Sequence, residues 1–199
     1  MLIRTKDNYY FTKKEGQQMP NVVILSGSPS APSRTDFVLK FVQSLLEKEN
    51  ITVTYVSVLD IPAEDLHKAR YNSSEIKAIA NSIEEADGVI IGSPVYKASY
   101  TGVLKSLIDL IPEGAFKGIP VLPIMVGGSK AHLLAIDFAL KPLIATLKGR
   151  ATQGTYIIDN QIDKENSLQP ITDQDIQARL NNDLEEFLQI IKQTKAITS

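Results

Sequence analysis

Short continuous apolar runs, each followed by a stretch with helical spacing, recur along this chain and constrain its fold more than any other feature. Val22-Val23-Ile24-Leu25 and Val89-Ile90-Ile91 show no polar alternation, the pattern of strands buried on both faces. The first run breaks at Ser26-Gly27-Ser28-Pro29. Phe37, Val38, Phe41, Val42, Leu45 and Leu46 then mark one face of a helix. Val53, Tyr55 and Val56 predict a second strand. Asn72-Ser73-Ser74-Glu75 predicts a cap for a helix with apolar face Ile76, Ile79, Ala80 and Ile83. The third run ends at Gly92-Ser93-Pro94, and Val103, Leu104, Leu107, Ile108 and Ile111 predict a helix that Pro112 stops. Val121 to Val126 reads as a fourth strand, although Pro123 removes a ladder donor. Residues 131–147 follow a helical pattern with a bend expected at Pro142. Thr155 to Ile158 gives a fifth strand. Thr172 with Asp175 predicts a cap, and Ile176, Leu180, Leu184, Phe187, Leu188 and Ile191 a long final helix. Strands alternating with helices imply an α/β fold, a parallel sheet with helices on both faces, in one domain over 21–195.

Composition removes several function classes. The 21 Lys+Arg balance 23 Asp+Glu for a net charge of −2, so no basic excess points to nucleic acid. Cysteine is absent, which excludes disulfides, thiolate nucleophiles and Cys-type zinc sites. Only His67 and His132 could serve a metal or a triad, so no metal site is expected. His132 reads as a packed or half-exposed residue, or as one that stabilises charge or caps a helix. No apolar run reaches the roughly 18 residues of a membrane span, and the first residues lack the apolar core of a signal peptide. A cytoplasmic protein with no membrane partner is expected.

In an open parallel sheet, ligands bind beyond the carboxyl ends of the strands, where the strand order reverses. The loops after the first, third and fourth strands therefore matter most: SGSPSAPSRTD (26–36), GSPVYKASYTG (92–102) and VGGSKAH (126–132). The first is hydroxyl-rich and opens directly into a helix, whose N-terminal amides suit a phosphate. Ser28, Ser33 and Thr35 could add hydroxyl donors and Arg34 a charge; a plain cap by Ser33 with Asp36 reads equally well. The loop is neither a Walker A nor a GxGxxG motif, which favours a mononucleotide over a tightly held dinucleotide. No GxSxG elbow is present. In the second loop Pro94, Val95 and Tyr96 form an apolar shelf suited to a flat ring, or ordinary loop packing. In the third, Gly127-Gly128 allows backbone to approach a ligand, or simply makes a tight turn.

These loops, in this order, resemble the NADPH-dependent FMN reductase family of the flavodoxin-like fold, over about 21–191. Within it the chain is similar to the reductases of two-component alkanesulfonate monooxygenase systems. The stretches that carry the resemblance are SGSPSAPSRT (26–35), PAEDLHKARY (62–71), GSPVYKASYTGVLKSLIDLIPEGAFKG (92–118) and VGGSKAHLLAIDFALKPLIATL (126–147). The resemblance implies a three-layer α/β/α architecture with a five-stranded parallel sheet in the order 2-1-3-4-5. It implies FMN phosphate contacts at Ser28, Ser33 and Thr35, and ring contacts at Pro94, Val95, Tyr96, Gly127, Gly128 and Ser129. Many relatives carry Arg at the position of Ser30; its absence here removes a charge-assisted phosphate bond, for which Arg34 could compensate. Phe138 stands where sulfonate-system relatives carry Tyr at a π-type bulge in a subunit interface.

The implied activity is hydride transfer from NADPH, or NADH, to FMN, with reduced FMN released to a flavin-dependent monooxygenase in sulfonate metabolism. No side chain is expected to act as nucleophile or base. One alternative is an enzyme that retains FMN and reduces quinones or azo dyes; another is a flavodoxin-like electron carrier. A homodimer or tetramer is expected, because Leu133, Leu134, Ile136, Phe138, Leu140, Leu143 and Leu147 surround the 131–147 helix. Residues 1–20 show no period and are expected to be a dispensable extension. Lys14-Glu15-Gly16 can be encoded by a bacterial ribosome-binding sequence with Met19 as the start. The competing expectation is an arm whose Tyr9, Tyr10 and Phe11 pack on a partner subunit.

Overall fold

The computed structural model describes residues 4–5, 8–9 and 19–198. Its parallel sheet is built from β1 (Asn21–Ser26), β2 (Thr52–Ser57), β3 (Gly88–Pro94), β4 (Pro120–Gly127) and β5 (Thr155–Ile158). The spatial order is β2-β1-β3-β4-β5, as the resemblance implies, and every pairing is parallel. The helices are α1 (Arg34–Lys48), α2 (Ser74–Glu84), α3 (Gly102–Ile108), α4 (Lys141–Thr146) and α5 (Gln174–Thr198). Successive strand residues point to opposite faces. Val23, Leu25, Val89 and Ile91 therefore pack with Ile83, Leu104, Leu107 and Ile144, on the side of α2, α3 and α4. Val22, Ile24 and Ile90 pack with Leu39, Val42, Leu180 and Phe187, on the side of α1 and α5.

Pro123 lies inside β4, and the structure accommodates it on the outer edge. The Ile119 and Val121 carbonyls accept from Arg150 N and Thr152 N, both at 2.9 Å, so odd-numbered residues of β4 turn their backbone groups outward. The donor that Pro123 lacks therefore faces the edge strand. There the ladder is interrupted: a two-residue strand Arg150–Ala151 pairs with the start of β4, and β5 resumes only at Thr155. Gly154, at φ +84°, carries the chain past the proline.

The predicted helix over 131–147 is divided. A 3-10 turn, Lys130–His132, leads to a π-helical segment, Ile136–Leu140, and then to α4, with Pro142 in its first turn. Ile136, Leu140 and Ile144 face the core, while Leu133, Leu134 and Phe138 are exposed, Phe138 by 79%. The cap of α5 is Asp173 rather than Thr172: its Oδ1 accepts from Asp175 N at 3.0 Å and Ile176 N at 3.1 Å. A carboxylate at the position before the helix satisfies two orphan amides at once.

The stretch 62–71 holds a five-residue helix, Ala63–His67, closed by a clamp. The Arg70 guanidinium reaches the buried Asp65 at 3.2 Å and Glu64 at 2.8 Å, and His67 faces solvent. Of the expected extension, most residues lie outside those described. Arg4–Thr5 pairs antiparallel with Asn8–Tyr9, and the Pro20 carbonyl already accepts from Thr52 N at 2.9 Å.

Candidate active site

Parallel strands send the three loops of interest to one edge of the sheet, and hydrogen bonds tie them together. Gly27 N donates to the Gly92 carbonyl at 2.7 Å, joining the first loop to the end of β3. The buried Thr101 hydroxyl donates to the Gly27 carbonyl at 2.6 Å and accepts from Leu104 N at 3.2 Å, so it staples the first loop while capping α3. Val95 N donates to the Val126 carbonyl at 2.7 Å, which fixes the second loop beside the third. Tyr156, on β5, donates to the Ser129 carbonyl at 2.7 Å. Burial and the nearby Asp159 push its phenol upward, so it remains a donor. The expected site residues from all three loops thus meet at the carboxyl edge.

In the first loop Ser33 caps α1. Its hydroxyl accepts from Asp36 N at 3.1 Å and donates to Asp36 Oδ2 at 2.7 Å. Asp36 does not return a bond to the cap amide; its Oδ1 accepts instead from Ser26 at 2.7 Å and Tyr55 at 3.0 Å. Burial, reinforced by the Asp36 carboxylate, raises the Tyr55 pKa and keeps that phenol protonated. Ser28 is buried and donates to the Ser30 carbonyl at 3.1 Å. Thr35 is buried. The amides of Arg34 and Thr35 have no partner among the described residues, as expected for the opening turn of a helix. Arg34 sends one terminal nitrogen to within 3.9 Å of Asp159, and its Nε is buried without a partner.

The second loop presents half-buried Pro94 and Val95 beside Tyr96, which is 51% exposed. Tyr96 and Ser99 exchange both backbone hydrogen bonds, at 2.9 and 3.1 Å, across Lys97 and Ala98. Both intervening residues have positive φ, 50° and 63°, the geometry of a type I′ hairpin turn. Neither is a glycine, so the turn that displays the aromatic is strained. Ala98→Gly is expected to stabilise the protein by about 0.5–1 kcal/mol, because relief of the left-handed strain exceeds the added freedom of the unfolded chain. A thermal melt checks this, and a lower melting temperature would overturn it.

In the third loop the two glycines differ. A Cβ on Gly127 would meet the Tyr156 hydroxyl, so packing explains that residue. A Cβ on Gly128 would meet nothing within 4 Å, and Gly128 has no positive φ. Neither packing nor backbone conformation requires glycine there, and the space beside its backbone is open. Ser129 caps the following 3-10 turn, accepting from Ala131 N at 3.3 Å. Exposed His132 ends that turn. Two tethering residues have uneven sequence signals. Thr101 before an apolar helical run reads as a cap, whereas nothing in the local sequence ties Tyr156 to the third loop. Among the described residues no cluster of His, Asp and Glu could hold a metal, and no helix is long and apolar enough to cross a membrane.

Known proteins share this fold and much of this sequence. Residues 20–163 match the NADPH-dependent FMN reductase family. The FMN reductase (NADPH) of Pseudomonas putida strain KT2440 is 42% identical over 168 residues, covering 83% of this chain and 85% of its own. The FMN reductase (NADPH) of Escherichia coli strain K12 is 39% identical over 171 residues, covering 85% and 89%. Among solved structures, an apo NADH:FMN oxidoreductase aligns with a TM-score of 0.75 at 30% identity, covering 85% of this chain and 88% of that one. The likeness spans all three loops and the sheet that aligns them, and the chain accordingly belongs to the NADPH-dependent FMN reductase family, an NAD(P)H:FMN oxidoreductase.

Proposed function

We propose that the enzyme releases its reduced FMN to a separate flavin-dependent monooxygenase, in the assimilation of sulfur from sulfonates. The observation that carries the proposed site is the set of unengaged donors at the start of α1: the Arg34 and Thr35 amides and the buried Arg34 Nε. They suit a phosphate, which gains charge-assisted bonds there without displacing protein partners. Ser28, Ser33 and Thr35 stand around the same turn and complete the proposed phosphate contacts. Pro94, Val95 and Tyr96 supply the shelf for the ring, and Gly127, Gly128 and Ser129 bring backbone to its edge. Bound flavin supplies the acceptor for the hydride of the nicotinamide. The protein's part is to hold the two rings face to face, and no side chain is asked to move a proton.

Weak retention is supported by what the phosphate turn lacks. Ser30 brings no charge, and Arg34 leans toward Asp159. We place the enzyme in the cytoplasm, as a homodimer or tetramer that buries exposed Leu133, Leu134 and Phe138 against a second copy. Residues 1–18 are proposed to be dispensable for this chemistry.

The test mixes the purified protein with excess FMN and NADPH or NADH and follows the absorbance of oxidised flavin. Bleaching of all the added FMN, far beyond one equivalent, is expected under anaerobic conditions. Bleaching of one bound equivalent only would favour a flavin-retaining quinone or azo reductase. No bleaching with either nucleotide would point to an electron carrier and sink the proposal.

A further inference from the structure

We propose that Asp36 sets the flavin affinity of this enzyme by competing with the FMN phosphate, a reading that rests on the 26–35 turn being the phosphate site. Asp36 is buried in the first turn of α1 and makes no ion pair among the described residues. Its side-chain partners are three neutral hydroxyls, those of Ser26, Ser33 and Tyr55. An anion there already occupies the positive end of the helix that would attract a phosphate.

Asp36 also takes the proton that the phosphate needs. A serine hydroxyl has one proton and two lone pairs. That of Ser33 is directed at Asp36 Oδ2, 2.7 Å away, and one lone pair accepts from Asp36 N. The loop therefore meets an incoming phosphate with an oxygen lone pair instead of a donor. Ser33 must let go of Asp36 before it can bond the phosphate. Arg34 repeats the arrangement more loosely, 3.9 Å from Asp159. The consequence is a site that recognises FMN but holds it loosely, suited to a flavin that must leave.

Asp36→Asn separates charge from shape. Asparagine keeps an acceptor for Ser26 and Tyr55, and its amide donates to Ser33, freeing the serine proton. Fluorescence titration of the full chain with FMN and with riboflavin reads the effect. Asp36→Asn is expected to tighten FMN about tenfold, the order of one charge interaction near a helix terminus, and to leave riboflavin within about twofold. In the wild type, Ser33→Ala should weaken FMN by less than about threefold; in the Asp36→Asn background the same change should cost about tenfold, the coupling expected if Asp36 holds the Ser33 proton. Tyr55→Phe removes one partner of Asp36 but no charge, and should leave FMN affinity within about twofold. Asp36→Ser stands in if the asparagine variant does not fold.

Ser30→Glu, which adds charge to the exposed loop, tells the two layers apart. If it weakens FMN at least about tenfold while Asp36→Asn fails to tighten it, the role of Asp36 is overturned and the phosphate site stands. If Ser30→Glu leaves FMN affinity unchanged, the phosphate lies elsewhere and both readings fall. Equal tightening of FMN and riboflavin by Asp36→Asn would also overturn the proposal, because the effect would then be structural.

Discussion

Gly128→Val is expected to weaken FMN binding at least about a hundredfold while leaving the melting temperature unchanged. The fold makes no demand for glycine at this position: φ is not positive, and no atom lies within 4 Å of the place a Cβ would take. A branched side chain there projects into the open space at the third loop, which the flavin ring is proposed to use. A hundredfold loss corresponds to about 2.7 kcal/mol, within the range of a close contact replaced by overlap. Fluorescence titration and a thermal melt on the same sample decide the matter. Unchanged affinity would show that the third loop does not touch the ring. A large fall in melting temperature would show that the loop conformation, and not ligand access, selects glycine.

Gly154→Ala is expected to have the opposite profile, a loss of about 3–4 kcal/mol in stability. Its φ of +84° alone makes alanine strained, by roughly 1–2 kcal/mol. A Cβ would also lie 2.6 Å from the Pro123 carbonyl oxygen and 2.5 Å from its Cγ. A backbone atom and a ring cannot swing aside as a flexible side chain does, so the rest of the penalty is overpacking. Gly118→Ala is the control: its φ is +76°, but a Cβ there has nothing within 4 Å. That variant should lose only the conformational part, about 1–2 kcal/mol. Urea unfolding of both variants checks the difference, and equal losses would mean that Pro123 yields more than its position suggests.

The strands were legible because burial on both faces leaves an unbroken apolar signature, as in Val22–Leu25 and Val89–Ile91. The meeting of the three loops was legible for a related reason: a parallel sheet gathers its loops at one edge, whatever those loops do. Helix type was legible only through the resemblance, which sets Phe138 at the position of a π-type bulge, and the π-helical segment Ile136–Leu140 contains it. By themselves the apolar residues of 131–147 fit an ordinary helix, and nothing in their order distinguishes Leu133 and Phe138 outside from Ile136 and Leu140 inside. The cap at Asp173 was missed because Thr172 beside it carries the same chemistry. Ala63–His67 has too few apolar residues for any period. Least legible was the direction of a proton. Ser33 with Asp36 reads as a cap, but which group Ser33 donates to depends on Tyr55 and Ser26, brought in from two separate strands.

The proline in β4 has a consequence for how the molecule comes apart. Free energies of local opening run from near zero at weakly attached elements up to that of the whole fold. The edge strand is attached by two residue pairs at Arg150–Ala151 and four at Thr155–Ile158, with the ladder broken between. It is therefore the part of the sheet held most lightly. Tyr156 belongs to that strand, and its hydroxyl is bonded to the Ser129 carbonyl. When the edge loosens, the third loop loses its tether while β1 and β3 stay intact. A ladder bond missing at Pro123 thus concentrates breathing motion next to the loop proposed to meet the flavin ring.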